Sequence, residues 1–463
     1  MNRFSDILNT FSELRYVAEG LPFSSPLGKR RMLNQPFLLA KNEIEKELNK
    51  TAVVVSFLSD TANKTTAGAI MQVLHQAQDI EGTLRNLQAG MVLDDIELFE
   101  IKKFALLVAE LIEMPEVASL VELAEVEETI EVLDPEHKRI PRFFIYDEYD
   151  VRLAPLRKKL RQFSTPPAEK AILETECSAI EDSIRQLLSE KLLVHHSSLH
   201  QSFMAFAELD FLLAKAAFCI QHHCCCPVVA KGETVYTGLF NMEVQDLLQK
   251  KGKGFQPVDI SLTADPCIIT GANMGGKTIL LKSVAVAQYL FQFGFFVPAA
   301  KAAIVPVEKV LCSFEIVTNT KSGLSSFATE IVRISGILQQ AKSNTKLLVL
   351  LDEPAQTTNP AEGAAIVSAI ASILKDSNIR SLITTHYSNI KGVFRRLNVK
   401  GLKVPVGGAN ITAENITAYM DYSLEENTTG KAPVNAIQVA AMLGVDEELV
   451  SKAKEALRKS EFE

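Results

Sequence analysis

The chain has 463 residues, a length that fits about two to four ordinary domains, and 47% of them are hydrophobic, ample for packed cores. A formal net charge of −8 argues against a protein that coats nucleic acid through a strongly basic surface, while leaving room for a local basic face. The seven cysteines cluster rather than spread and no signal peptide opens the sequence, so the expectation is a reducing, cytoplasmic setting without a disulfide framework.

Residues 1–20 read as a short amphipathic start. Ser25-Pro-Leu-Gly-Lys-Arg-Arg-Met-Leu33 then supplies a turn and a basic helix opening. From Phe37 to Glu128 apolar residues recur at three- and four-residue spacing, through Leu48–Leu58, Ile70–Ile80 and Phe104–Leu123, which predicts helices. The acids gathered between Glu113 and Glu136 read as solvated helix faces that would repel a DNA backbone. Arg142-Phe-Phe-Ile-Tyr146 is strand-like, and a helix opening at Asp147-Glu-Tyr-Asp150 runs through Leu160 until Thr165-Pro-Pro167 breaks it. Helices follow from Ala168 to Leu193 and from Ser197 to His222, the latter with a seam of Phe203, Phe206, Leu209, Leu213 and Ala217. At 1.5 Å per residue each would extend roughly 35–40 Å, the proportions of a lever.

A boundary falls at Cys226-Pro227. Beyond it β-prone residues appear (Pro-Val-Val-Ala230, Val235-Tyr-Thr), and strands alternate with helices to about Asp421 in the manner of an α/β sheet. Two helical patterns, Ala436–Leu443 and Glu447–Arg458, close the sequence. The most apolar window, Ser283–Val307, contains Gln288, Gln292, Gly294, Pro298 and Lys301, which predicts a core helix, a turn and a strand rather than a membrane span.

The chemistry concentrates in the second half. Gly271-Ala-Asn-Met-Gly-Gly-Lys277-Thr278 follows the apolar run Cys267-Ile-Ile-Thr270 and precedes a helical pattern from Ile279, the strand, glycine loop and helix that a phosphate-binding loop needs. Its N–H groups can wrap phosphates, Lys277 can reach the β- and γ-phosphates, and Thr278 can hold Mg²⁺. Leu347-Leu-Val-Leu-Leu351 is an apolar strand that delivers Asp352 and Glu353 at its end, the places of a Mg²⁺ carboxylate and a water-activating carboxylate. Ser381-Leu-Ile-Thr-Thr385 ends in His386, which would emerge at the same sheet edge as a sensor of the γ-phosphate. Ser322-Gly-Leu-Ser-Ser-Phe-Ala-Thr-Glu330 puts small hydroxyl residues at a helix start, which suits either an anion site through Ser322, Ser325 and Ser326 or a plain N-cap.

These residues resemble the MutS-type ATPases, a branch of the ABC-related P-loop proteins, over nearly the whole chain. Thr270–Thr278 looks like the family's TGPNMGGKS/T loop with Ala272 for proline, so Gly271, Asn273, Met274, Gly275, Gly276, Lys277 and Thr278 become nucleotide-binding residues. Phe255-Gln-Pro-Val-Asp-Ile-Ser-Leu262 is similar to FxPNDxSL, which implies that Phe255 packs beside adenine, although Val258 replaces the asparagine. Ser322–Phe327 resembles the SGxSTF signature, which in the family faces the nucleotide of the opposite subunit. Ser381–Tyr387 looks like the family's histidine switch, Ser25–Arg30 the start of its core domain, Ala207-Glu-Leu-Asp-Phe211 its returning lever helix, and Asn435–Gly444 a helical segment used in dimerisation.

The resemblance implies a helical core-and-lever domain over 1–229, an ABC-like α/β ATPase domain over 230–421, and a helical dimerisation segment over 422–463. Two chains, identical or different, would meet head to tail around ATP and Mg²⁺. Lys277, Glu353 and His386 would be catalytic, with Thr278 and Asp352 on the metal. On this resemblance the expectation is that the family's upstream recognition and connector domains, its β-rich clamp between Leu160 and Leu199, and a following nuclease-like domain are missing. After Glu353, Pro354–Gly363 departs from the mismatch-repair pattern IGRGTSTxDG, keeping only Thr358 and Gly363. These departures resemble a small branch linked with reactivating cobalamin-dependent lysine 5,6-aminomutase. DNA handling, a protein-directed reactivase and a nucleotide-binding scaffold therefore stay open at this stage, the intact Lys277, Thr278, Asp352 and Glu353 weighing against the scaffold.

Two smaller groups remain. Cys219, His222, His223, Cys224, Cys225 and Cys226 read as a structural helix terminus ahead of a zinc or thiol site, since metal ligands come as spaced pairs. Arg152, Arg157, Lys158, Lys159 and Arg161 form the best local candidate for a phosphate-contacting face, against a solvated helix surface.

Overall fold

Local sequence signals start several of the helices. In the computed structural model, residues 2–162, 166–271, 276–314, 326–343, 346–402, 419–428, 436–442 and 444–460 are described. They form two compact units, one of Met1–Gly20, Pro36–Asn49 and Cys219–Glu463, the other of Leu21–Gln35 and Lys50–Phe218. The expected single boundary near residue 229 is thus replaced by several crossings, because the amphipathic N-terminal segments bury their apolar faces in the sheet-bearing unit.

In that unit α1 (Phe4–Thr10) and α2 (Leu14–Gly20) come first. In the helical unit, α3 (Pro26–Leu33) begins with Ser25 accepting the Gly28 N–H and proline at its first turn. The chain crosses units within α4 (Lys41–Ser59). It continues through α5 (Lys64–His75), α6 (Glu81–Gln88), α7 (Asp95–Ile112), α8 (Glu127–Leu133), α9 (Leu153–Leu160), α10 (Pro167–Val194) and α11 (His196–Gln221). Asp94 and Glu97 make a reciprocal capping box at α7. One apolar core runs from Leu27 through Phe104, Ile145 and Phe206 to Ala216.

Among the described residues, the helical unit contains no strand. The strand expected at Arg142–Tyr146 is instead a loop anchored by side chains: Ile145 and Tyr146 are buried, and the Tyr146 hydroxyl accepts from Lys102 Nζ at 3.0 Å. Only His195 separates α10 from α11. The helical runs expected over Ile70–Ile80 and Phe104–Leu123 stop at His75 and Ile112.

The sheet-bearing unit opens with β1 (Val228–Val229), β2 (Thr234–Leu239), α12 (Met242–Lys250), β3 (Val258–Leu262) and β4 (Pro266–Thr270). Then come α13 (Lys277–Gln292), β5 (Lys301–Ile304), β6 (Lys309–Cys312), α14 (Ser326–Ser343), β7 (Leu347–Leu351), α15 (Pro360–Asp376) and β8 (Arg380–Thr385). Finally β9 (Arg395–Leu402), β10 (Met420–Glu426), α16 (Ala436–Met442) and α17 (Glu447–Ser460) complete it. A six-stranded sheet has the order β10-β9-β4-β8-β7-β6, parallel except for β10, and a smaller one has the order β1-β5-β2-β3. β4 and β7 are buried at every position, as parallel strands covered by helices must be.

The apolar window Ser283–Val307 resolves as expected into α13, a turn and β5. Its glutamines are spent inside: Gln292 Nε2 donates to Leu38 O at 2.8 Å and Val307 O at 2.7 Å, and its Oε1 accepts the Val307 N–H. Phe4, Phe11 and Phe37 pack against Phe293 and Tyr289 with ring centroids 4.9–6.0 Å apart. Those contacts hold residues 1–20 and 36–49 in this unit. Among the described residues, no helix is long and apolar enough to cross a membrane.

Candidate functional site

Parallel register builds the site. β4 pairs with β8 so that Thr270 lies opposite Thr385, and β7 pairs with β8 on the other side. The loops leaving these three adjacent strands therefore emerge together, at the carboxyl edge where open α/β sheets place ligands. Gly271 leaves β4 at φ +157, and a Cβ there would lie 3.0 Å from Val399 Cβ, so a side chain at this position is strained and crowded. Gly276, at φ +71, starts α13, and a Cβ on it would meet the Tyr422 ring at 3.2 Å. Asn273, Met274 and Gly275 lie outside the described residues, as do Ser322 and Ser325. Ser326 begins α14.

Lys277 is 4% exposed. Its ammonium donates to Gly271 O at 2.6 Å and pairs with Glu353 Oε1 at 2.9 Å. Thr278 Oγ1 donates to Asp352 Oδ2 at 2.7 Å, uniting the two expected metal ligands. Thr384, fully buried on β8, completes the arrangement: its hydroxyl donates to Asp352 Oδ1 at 2.7 Å and accepts the Glu353 N–H at 3.1 Å. Ser313 Oγ accepts the Asp352 N–H at 2.8 Å. His386 Nδ1 lies 3.4 Å from Glu353 Oε2, yet it is buried and makes no hydrogen bond, because the pair is close in distance but not aligned.

Phe255 is half-buried and comes to this region through its neighbour. Gln256 Nε2 donates to Asp421 Oδ1 at 2.8 Å, and Gln256 Oε1 accepts the Tyr422 N–H at 3.1 Å. The Tyr422 ring beside Gly276 is thus a site residue that sequence reading missed. Only the strand pairing of β10 with β9, and of β9 with β4, brings it there.

Two other groups resolve differently. Arg157 donates to Asp147 Oδ1 at 2.5 Å, to Glu181 Oε1 at 2.7 Å and to Ile145 O, and Arg152 pairs with Asp150 at 2.7 Å. These two guanidiniums of the basic cluster are thereby neutralised within the unit rather than presented to phosphate. At the end of α11, Cys224 N–H bonds Cys219 O at 2.9 Å and His223 N–H bonds Ile220 O at 3.2 Å, with His223 at φ +53. That is a Schellman termination, the structural alternative for the cysteine-rich segment. Burial pushes the Cys225 thiol up to about 11, and among the described residues no three His, Cys, Asp or Glu side chains converge as a metal site.

The comparison with known proteins matches this geometry. Residues 267–461 match the family described as MutS domain V, an ATPase domain. An Endonuclease MutS2 of Acetivibrio thermocellus is 29% identical over 268 residues, covering 57% of this chain and 32% of that protein. Proteins of the same name from Streptococcus agalactiae and Geobacillus thermodenitrificans are 30% and 31% identical over 276 and 283 residues, covering 59% and 60% of this chain and 34% of each. The chain spans about a third of the length of these relatives. The fold and the matched domain thus define a P-loop ATPase module. Over residues 267–461 the chain is similar to the ATPase domain of the MutS family.

Proposed function

We propose that this chain binds ATP with Mg²⁺ and hydrolyses it, coupling the cycle to work on a partner. The observation that carries the reading is the convergence of Lys277, Thr278, Asp352, Glu353 and His386 at the ends of β4, β7 and β8. Thr278 and Asp352 offer adjacent hard oxygen donors, which fit Mg²⁺, and they would hold it; when bound, the ion neutralises charge on the β- and γ-phosphates. Phosphate oxygens replace Glu353 as the partner of Lys277, which releases the carboxylate. Glu353 then orients the attacking water and takes its proton, while Lys277 offsets charge developing on the leaving phosphate. His386 senses the γ-phosphate from the end of β8.

The working form in this reading is a dimer, identical or mixed, in which the Ser322–Ser326 loop of one subunit faces the nucleotide of the other. Closure on ATP would move the lever helices of the helical unit. Replacing Glu353 by Gln tests the chemistry: steady-state hydrolysis should fall at least about a hundredfold while nucleotide binding persists. An unchanged rate would sink the assignment.

Two loads fit this engine. The name of the relatives, Endonuclease MutS2, supports a DNA-related role. The internal pairing of Arg152 and Arg157 and the net charge of −8 favour a protein load, for which the short-motif resemblance points to a cobalamin-dependent lysine 5,6-aminomutase. A duplex-DNA titration at several salt concentrations separates them. Tight binding with a steep salt slope supports DNA, and none at low salt supports the protein load.

A further inference from the structure

The turn that carries Glu353 is held in a conformation that side-chain-bearing residues rarely adopt. Glu353 sits at φ +43 and Ala355 at φ +63, on either side of Pro354. Left-handed backbone of this kind persists only where its surroundings fix it. Ala355 is completely buried and its peptide groups are gripped from two directions. Its N–H donates to Glu330 Oε1 at 3.1 Å, from the second turn of α14. Its carbonyl accepts the Tyr387 hydroxyl at 2.6 Å, from the residue after His386.

Tyr387 is itself locked. Its ring is 5% exposed, and its N–H donates to Thr385 Oγ1 at 3.1 Å. It fills the space in front of Gly363 on α15, where an added Cβ would come within 2.3 Å of the ring. A glycine there is what lets the tyrosine reach Ala355.

We propose that Glu330 and Tyr387 are positioning residues for Glu353, acting through the Ala355 peptide that they hold from both sides. The proposal rests on reading Glu353 as the catalytic carboxylate. Its consequence is mechanical: α14, the Asp352–Ala355 turn and the end of β8 form one linked body. A displacement of α14 is passed to Glu353 through Glu330.

The test measures steady-state ATP hydrolysis by the full chain, with kcat and KM separated and thermal melting recorded for each variant. Tyr387→Phe removes one hydroxyl and Glu330→Ala removes the acceptor; each should lower kcat about tenfold and leave KM within about twofold. Glu330→Gln keeps an acceptor oxygen and should return kcat to within about threefold of the parent. The proposal is overturned if Tyr387→Phe keeps the parent kcat, if Glu330→Gln is as slow as Glu330→Ala, or if only KM changes. Glu353→Gln runs alongside. A parent-like rate in that variant defeats the catalytic reading and this proposal together, whereas a slow Glu353→Gln with a parent-like Tyr387→Phe defeats this proposal alone.

Discussion

Replacing Thr384 by valine removes a single hydroxyl from a fully buried position while keeping the side chain's shape. That hydroxyl donates to Asp352 Oδ1 at 2.7 Å and accepts the Glu353 N–H at 3.1 Å. The second loss is cushioned, because the Glu353 N–H also reaches the Thr384 carbonyl at 3.1 Å. The first is not. A hydrogen bond to a charged acceptor is worth about 1.5–3 kcal/mol, and since Asp352 is half-exposed, water recovers part of it, so about 1.5 kcal/mol is appropriate. Free to rotate, Asp352 holds its other oxygen less firmly beside Thr278. The Mg²⁺ concentration that half-saturates ATP hydrolysis should therefore rise about tenfold, with a smaller fall in kcat at saturating Mg²⁺. Thr384→Ser keeps the hydroxyl and should stay within about twofold of the parent. A folded Thr384→Val protein with the parent's Mg²⁺ dependence would refute the argument that this hydroxyl orients Asp352.

Gly271→Ala forces a side chain into φ +157 and to within 3.0 Å of Val399, whose strand β9 is hydrogen-bonded to β4. It should cost about 1–3 kcal/mol in thermal or urea unfolding, whereas Gly68→Ala on α5, with nothing within 4 Å, should stabilise by about 0.5–1 kcal/mol. In the helical unit, Lys102 is fully buried against Asp134 and Tyr146, both at 3.0 Å. Lys102→Met strands the Asp134 carboxylate and should destabilise by about 3–5 kcal/mol in the same assays. Burial pushes the Asp134 carboxyl up, but the Arg139 N–H and the Lys102 ammonium outweigh it and hold the group below its ordinary value of 3.8. Its contribution is therefore present above that pH and lost as pH falls through the lower folded value, so the destabilisation by Lys102→Met, read by urea unfolding at several pH values, should be largest near neutral pH and shrink in acid.

Sequence determined what is encoded locally. A buried parallel strand announces itself as an unbroken apolar run, and β4, β7 and β8 each deliver their chemistry in the next residue or two: the glycine loop, Asp352 with Glu353, and His386. The helix start at Ser25 was equally legible, because a cap acts within three residues. Tertiary structure alone decided everything that depends on which surfaces meet. The amphipathic pattern of residues 1–20 shows that one face is buried but not that Phe4 and Phe11 bury it on α13 and its flanking turn. A strand pattern at Arg142–Tyr146 gives way because no strand among the described residues of the helical unit offers it a paired edge. Arg157 looks available for phosphate until Asp147 and Glu181 close on it. Thr384 and Tyr387 lie in a stretch legible as a motif, but the partners of their hydroxyls, like those of Glu330 and Tyr422, are not legible in it. Each acquires its role from strand register or helix packing that brings together residues tens to hundreds of positions apart, and a one-residue slip in a strand would turn its side chains to the other face.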